Sequence, residues 1–180
     1  MPAARENLLD AAFAALADRP WADVRMVDVA AAAGVSRQTL YNEFGSKEGL
    51  GHALVRRAAE AYLAGAEEAL TGPPAAGPGE RLAGAALWTV RAAAADPLVR
   101  AALTGFWGGH LPPPGPCGDL LGRVRERAVR LLADDWPGDT AGALARACDT
   151  ATRLALSYVV APAAAEDVTA LVRQALRPAC

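Results

Sequence analysis

The sequence predicts an all-α fold, and three observations predict it. Isoleucine is absent and valine is the only strongly β-preferring residue present in quantity, so few segments favour strands. Much of the 53% hydrophobic fraction is alanine, the strongest helix former. Apolar residues also recur at the helical period of 3.6 in segment after segment. A chain of 180 residues with that apolar fraction and 21% dispersed charge is not intrinsically disordered and can bury the core of one or two domains.

The first helix is read from about Ala3 to Asp18, with Leu9, Ala12, Phe13 and Leu16 on one stripe, and Arg19-Pro20 ends it. A short second helix runs from roughly Arg25 to Ala33, carries Met26, Val29, Ala30 and Ala33 inward, takes Asp23 as its N-cap and stops at Gly34. Ser36 caps a third helix over Arg37–Phe44, and Gly45-Ser46 closes it and opens the next. The fourth helix is long, about Lys47 to Leu70, and the run Thr71–Gly79, rich in proline and glycine, ends it. Further helices are expected at about 80–95, 97–107, 118–134, 140–160 and 165–177, with Asp96-Pro97 a strong start signal. Loops fall at Gly108–Pro116 and Trp136–Asp139. No repeat of 20 to 50 residues is visible.

Several functional classes are disfavoured. Cys117, Cys148 and Cys180 lie far apart, and with only His52 and His110 they make neither a disulfide framework nor a zinc spacing, so no metal and no cofactor are expected. No G-x-S-x-G elbow, P-loop or H-E-x-x-H occurs, and Gly77-Pro78-Gly79 lies in a turn without a preceding strand; an enzyme is not expected. No signal peptide or apolar run long enough to span a membrane is present, which makes the cytoplasm the default and a membrane partner unexpected.

The functional pattern lies in the second and third helices. Gly34 supplies the positive φ that lets them cross steeply, while Val29, Ala30, Val35, Leu40 and Phe44 bury the junction, as in a helix-turn-helix. Arg37, Gln38, Thr39, Tyr41 and Asn42 remain outward, a donor-rich face that suits a DNA groove; an ordinary solvated helix face is the alternative. Arginine can chelate a guanine edge and glutamine an adenine edge, while Thr39, Tyr41 and the amides beside Lys47 can reach phosphates.

The runs Leu8–Ala12, Val29–Tyr41 and Phe44–Leu50, in that order, resemble the N-terminal domain of the TetR family of bacterial transcriptional regulators over about residues 5 to 55. Beyond residue 70 the likeness is one of size and helical architecture. The resemblance implies a helix-turn-helix DNA-binding domain over 1–46 and a helical ligand-binding and dimerisation domain over 47–180. It implies that Arg37 and Gln38, with Asn42, face base edges, and that Thr39, Tyr41 and Lys47 hold phosphates. Ser36 belongs to the same DNA-binding set, and Arg25 stands where the family has a hydroxyl at the start of helix two. Glu43 would repel the DNA backbone unless it turns toward Arg37 or a neighbouring helix.

Partners follow from the same reading: a palindromic double-stranded DNA operator bound by a homodimer, and a small apolar effector, as yet unidentified, that releases it. The dimer surface is expected on two stripes, Ala147, Ala151, Leu154 and Tyr158, then Val168, Leu171, Val172 and Ala175; inward packing within one subunit is the alternative. The effector is expected among Tyr62, Trp88, Phe106, Trp107, Cys148 and Thr152. The competing class is a helical small-molecule or protein-binding module whose helix-turn-helix binds DNA weakly or not at all. Charge speaks for that class: residues 1–52 hold five basic against seven acidic residues, and the whole chain is at −2.

Overall fold

The computed structural model describes residues 2–73, 77–115, 119–136, 141–162, 164–165 and 167–176. Cys117, Cys180 and the loop positions Pro116 and Pro137–Asp139 lie outside the described residues. Among those described, nine α-helices and no strand occur: α1 Pro2–Asp18, α2 Met26–Ala32, α3 Arg37–Phe44, α4 Lys47–Thr71, α5 Pro78–Ala95, α6 Pro97–Thr104, α7 Leu120–Leu132, α8 Ala141–Val160 and α9 Asp167–Ala175. A 3₁₀ turn, Trp21–Asp23, joins α1 to α2. None of the described helices is long and apolar enough to cross a membrane.

Side-chain caps open four of the described helices. Ser36, Ser46, Asp96 and Asp119 each accept an amide of the following first turn through the side chain, satisfying donors that have no partner inside the helix. Two boundaries differ from the sequence expectation. Helix α6 stops at Thr104 rather than near 107, because Gly105 takes a left-handed C-cap at φ 73°, and this frees Phe106 and Trp107 from the helix. Asp23 does not cap α2: it lies in the 3₁₀ turn, and Arg25 occupies the N-cap with no side-chain cap bond.

Two buried clusters hold the chain together. The first joins Leu8, Leu9 and Ala12 of α1 to Val29, Leu40, Leu50 and Leu54, and continues through Tyr62 and Leu63 to Leu98, Leu120 and Val124. Residues on both sides of the 46/47 boundary, Leu40 and Leu50 among them, therefore share one core. The second cluster gathers Leu70, Leu82, Ala86, Leu132, Leu144, Cys148, Val168 and Val172 around α5, which packs against α8 and α9.

Half of the expected dimer residues lie in this second cluster: Ala147, Ala151, Val168 and Val172 are buried within the single chain. Helix periodicity identified an apolar face correctly, but the face is covered by α5 of the same chain. Leu154 and Tyr158 are half-buried against that cluster, whereas Leu171 and Ala175 remain exposed. Val160, which stands outside both expected stripes, is 62% exposed.

Candidate nucleic-acid interface

The geometry of the helix-turn-helix follows from three local devices. Gly34, at φ 67°, reverses the chain after α2, a conformation that a Cβ would strain. The Val35 amide donates to the Ala30 carbonyl at 3.0 Å and the Gly34 amide to Ala31 at 3.1 Å, closing the end of α2. Ser36 Oγ then accepts the Thr39 amide at 3.0 Å. Leu40 is fully buried beneath α3, so its neighbours at 37, 38, 41 and 42 turn outward.

That outward face is organised. Gln38 Nε2 donates to Asn42 Oδ1 at 2.8 Å, one helical turn away, so the two amides present a fixed pair. Arg37 is exposed and makes no interaction among the described residues, leaving its fork of donors open. Tyr41 is 41% exposed. Ser36 and Thr39 share a hydroxyl–hydroxyl bond of 2.8 Å, so these two predicted contacts already engage each other at the start of the helix.

The other predicted cations are held by the protein itself. Lys47 Nζ donates to the Ala22 carbonyl at 2.8 Å and lies 5.4 Å from the Trp21 ring centroid, a cation–π arrangement. Arg25 grips Asp28 with two bonds, Nε to Oδ2 at 3.0 Å and Nη2 to Oδ1 at 3.3 Å, and Arg19 reaches the same carboxylate at 3.6 Å. Glu43 turns to α1, where Arg5 Nη1 meets its carboxylate at 3.5 Å while lying over Phe44. Glu6 and Asp10 are drawn to Arg57 of α4, the latter at 2.6 Å. Much of the acidic balance is thus consumed in contacts between helices rather than displayed along α3.

Asp28 therefore sets how freely Arg25 can meet a phosphate. Exposed ion pairs of this kind contribute only about 0–1 kcal/mol to folding, so Asp28→Asn leaves the fold intact. It is expected to raise affinity for a random-sequence duplex several-fold, because Arg25 no longer has to leave Asp28 to meet a phosphate. Titration of such a duplex checks this; unchanged affinity would place Arg25 away from the DNA backbone.

Residues missed by sequence reasoning tie this module to the rest of the chain. Trp21 is buried, and its amide donates to the His110 carbonyl at 2.8 Å in the α6–α7 connection. Pro112 of that connection is buried beside Gly51: a Cβ built on Gly51 would lie 3.0 Å from Pro112 Cβ and 3.1 Å from the Trp21 ring. The signal was present as a tryptophan after Pro20 and a glycine inside a long helix, but only the fold reveals that the two meet.

The expected effector residues divide. Tyr62 and Thr152 line a small cavity of about 20 Å³ between α4, α5, α7 and α8, together with Thr89. Burial pushes the Tyr62 phenol up to about 12, so it stays neutral. Trp88 lies outside the lining, its ring against Gly65 and its Nε1 donating to the Tyr62 carbonyl at 3.0 Å. Trp107 packs on the first cluster, and Cys148 is buried within the second without lining the cavity. Phe106 is 78% exposed; it follows the Gly105 cap and does not line the Tyr62 cavity. His110 is exposed, as expected for its loop.

Comparison with known proteins adds independent findings. A family model described as "Bacterial regulatory proteins, tetR family" matches residues 8–54, and one described as "Bacterial Tetracyclin repressor, C-terminal domain" matches residues 80–176. The HTH-type transcriptional regulator AlkX of Mycobacterium tuberculosis is 34% identical over 180 residues, covering 97% of this chain and 83% of the relative. The crystal structure of the TetR family repressor AlkX from Dietzia sp. strain DQ12-45-1b, implicated in biodegradation of n-alkanes, superposes with a TM-score of 0.59 at 26% identity, covering 96% of this chain and 95% of that one. A regulator of the TetR/AcrR family from Thermobifida fusca shares the fold, with a TM-score of 0.69 at 17% identity and coverage of 96% and 95%.

Proposed function

This chain belongs to the TetR family of bacterial transcriptional regulators, and from that premise we propose that it is a ligand-responsive repressor that binds a palindromic operator as a homodimer. The observation that carries the reading is the face of α3, where an open Arg37 stands beside the bonded pair Gln38 and Asn42, the residue types that read guanine and adenine edges. Thr39, Tyr41 and the first-turn amides of α4 beside Lys47 supply phosphate contacts that fix register. Two copies place their α3 helices about 34 Å apart, or a multiple of it, to reach successive major grooves. The dimer contact lies on the outward sides of α8 and α9, which carry Val160, Leu171 and Ala175 beside the half-buried Leu154 and Tyr158. The n-alkane biodegradation in which the Dietzia AlkX is implicated is the class of process this reading places under its control.

Coupling runs along two routes in the same structure. Helix α4 carries Tyr62 at the cavity and Lys47 at its other end. Helix α7 brings Val124 to the cavity, and the connection before it is anchored on Trp21, against which Lys47 lies. A molecule that parts α5, α7 and α8 shifts both ends of this frame, and the population moves to a spacing of recognition helices that no longer fits the operator. Footprinting on the DNA upstream of the chain's own gene tests the function. A protected palindrome is expected; no protection at low salt by a folded dimer would favour the helical binding module instead.

A further inference from the structure

We propose that the cavity at Tyr62 takes an uncharged aliphatic molecule whose single polar group is a hydroxyl, and that it discriminates against the corresponding carboxylate. The inference deepens the repressor reading above and rests on it.

Every hydrogen-bond donor at the cavity is already directed to the protein. Thr89 Oγ1 donates its one hydrogen to the Ala85 carbonyl at 2.8 Å. The 2.9 Å contact between Tyr62 Oη and Thr89 Oγ1 must therefore be donated by Tyr62. Thr152 Oγ1 donates to the Cys148 carbonyl at 2.7 Å. What faces the cavity is thus acceptor capacity, the remaining lone pairs of Tyr62 and Thr152, in walls otherwise apolar. No lysine, arginine or histidine is among the lining residues.

These facts select among ligands. A carboxylate offers acceptors only and a full charge; here it would meet no cation and no unsatisfied donor, a costly burial. An alcohol donates its hydroxyl hydrogen to the Tyr62 oxygen and lays its chain against the alanines of α5, α7 and α8. A plain alkane fills the same space but leaves that acceptor unanswered. At about 20 Å³ the cavity holds little more than one water, so a longer chain enters only by parting the helices, which is the event that a regulator requires.

The test compares 1-decanol, decanoate and decane on the full-length protein at pH 8, read by direct binding and by release of the operator. Decanol is expected to bind at least about tenfold more tightly than decanoate, which corresponds to one good hydrogen bond or more. In Tyr62→Phe the advantage of decanol over decane is expected to disappear, read as the ratio of the two affinities in the same variant. Ala151→Val, which narrows the cavity by two methyl groups, is expected to weaken decanol; circular dichroism confirms its helicity. Decanoate binding as tightly as decanol, with both weakened by Ala151→Val, overturns the ligand class but leaves the cavity as effector site. Decanol binding that ignores both substitutions overturns the siting of the effector itself, and absence of decanol binding up to its solubility overturns the proposal.

Discussion

Replacing Arg37 by alanine weakens the operator complex by at least about 30-fold and relaxes sequence preference at one base pair in each half-site. A bidentate arginine–guanine contact contributes about 1–3 kcal/mol of discrimination, and a symmetric dimer loses two of them. Arg37 is the residue for which this is most sharply expected, since it makes no interaction among the described residues and forfeits none on removal. Folding stability should stay within about 0.5 kcal/mol, as for surface substitutions away from packing and caps. Competition binding against operators altered one base pair at a time separates the outcomes. A uniform loss across all sequences would make Arg37 a backbone contact instead.

Trp21→Ala is expected to produce the largest loss of stability, about 3–5 kcal/mol, the range for removing a buried aromatic side chain. Nothing nearby can refill the space: Gly51 has no side chain, and Pro112 lies in a connection already held by the Trp21 amide to the His110 carbonyl. Lys47 also loses the ring beside which it lies, so operator affinity should fall in the same variant. Urea unfolding gives the first effect and DNA titration the second. A loss below about 1 kcal/mol would mean that the α6–α7 connection does not depend on Trp21, and the second coupling route would fall with it.

Local signals made the recognition module readable from the sequence. Gly34 at the turn, Ser36 as a cap and the buried Leu40 each act over a few residues, so their chemistry fixes α3 without knowledge of the rest of the fold. Features set by distant neighbours were not readable. Periodicity showed that Ala147, Ala151, Val168 and Val172 share apolar faces, but not that α5 of the same chain covers them. Asp28 binding Arg19 and Arg25, Glu43 turning to Arg5, and Trp21 meeting Gly51 likewise join residues far apart in the chain or compete with simpler local roles. Thr89 lies in the alanine-rich run of α5 with no local signal to mark it, and only the fold brings its hydroxyl to 2.9 Å from Tyr62 Oη in the cavity wall.

A net charge of −2 gives this regulator no broad electrostatic hold on DNA, so recognition must come from a few cations placed around α3. Arg25 and Lys47, the cations placed at phosphates and doubled by the homodimer, predict a log–log salt dependence of operator affinity with a slope of about −4. Measuring that slope on the footprinted operator between low and physiological salt tests the claim most directly. A slope near −4 on a saturable site is the predicted result; a slope of roughly −10, the mark of many more neutralised phosphates, would contradict it.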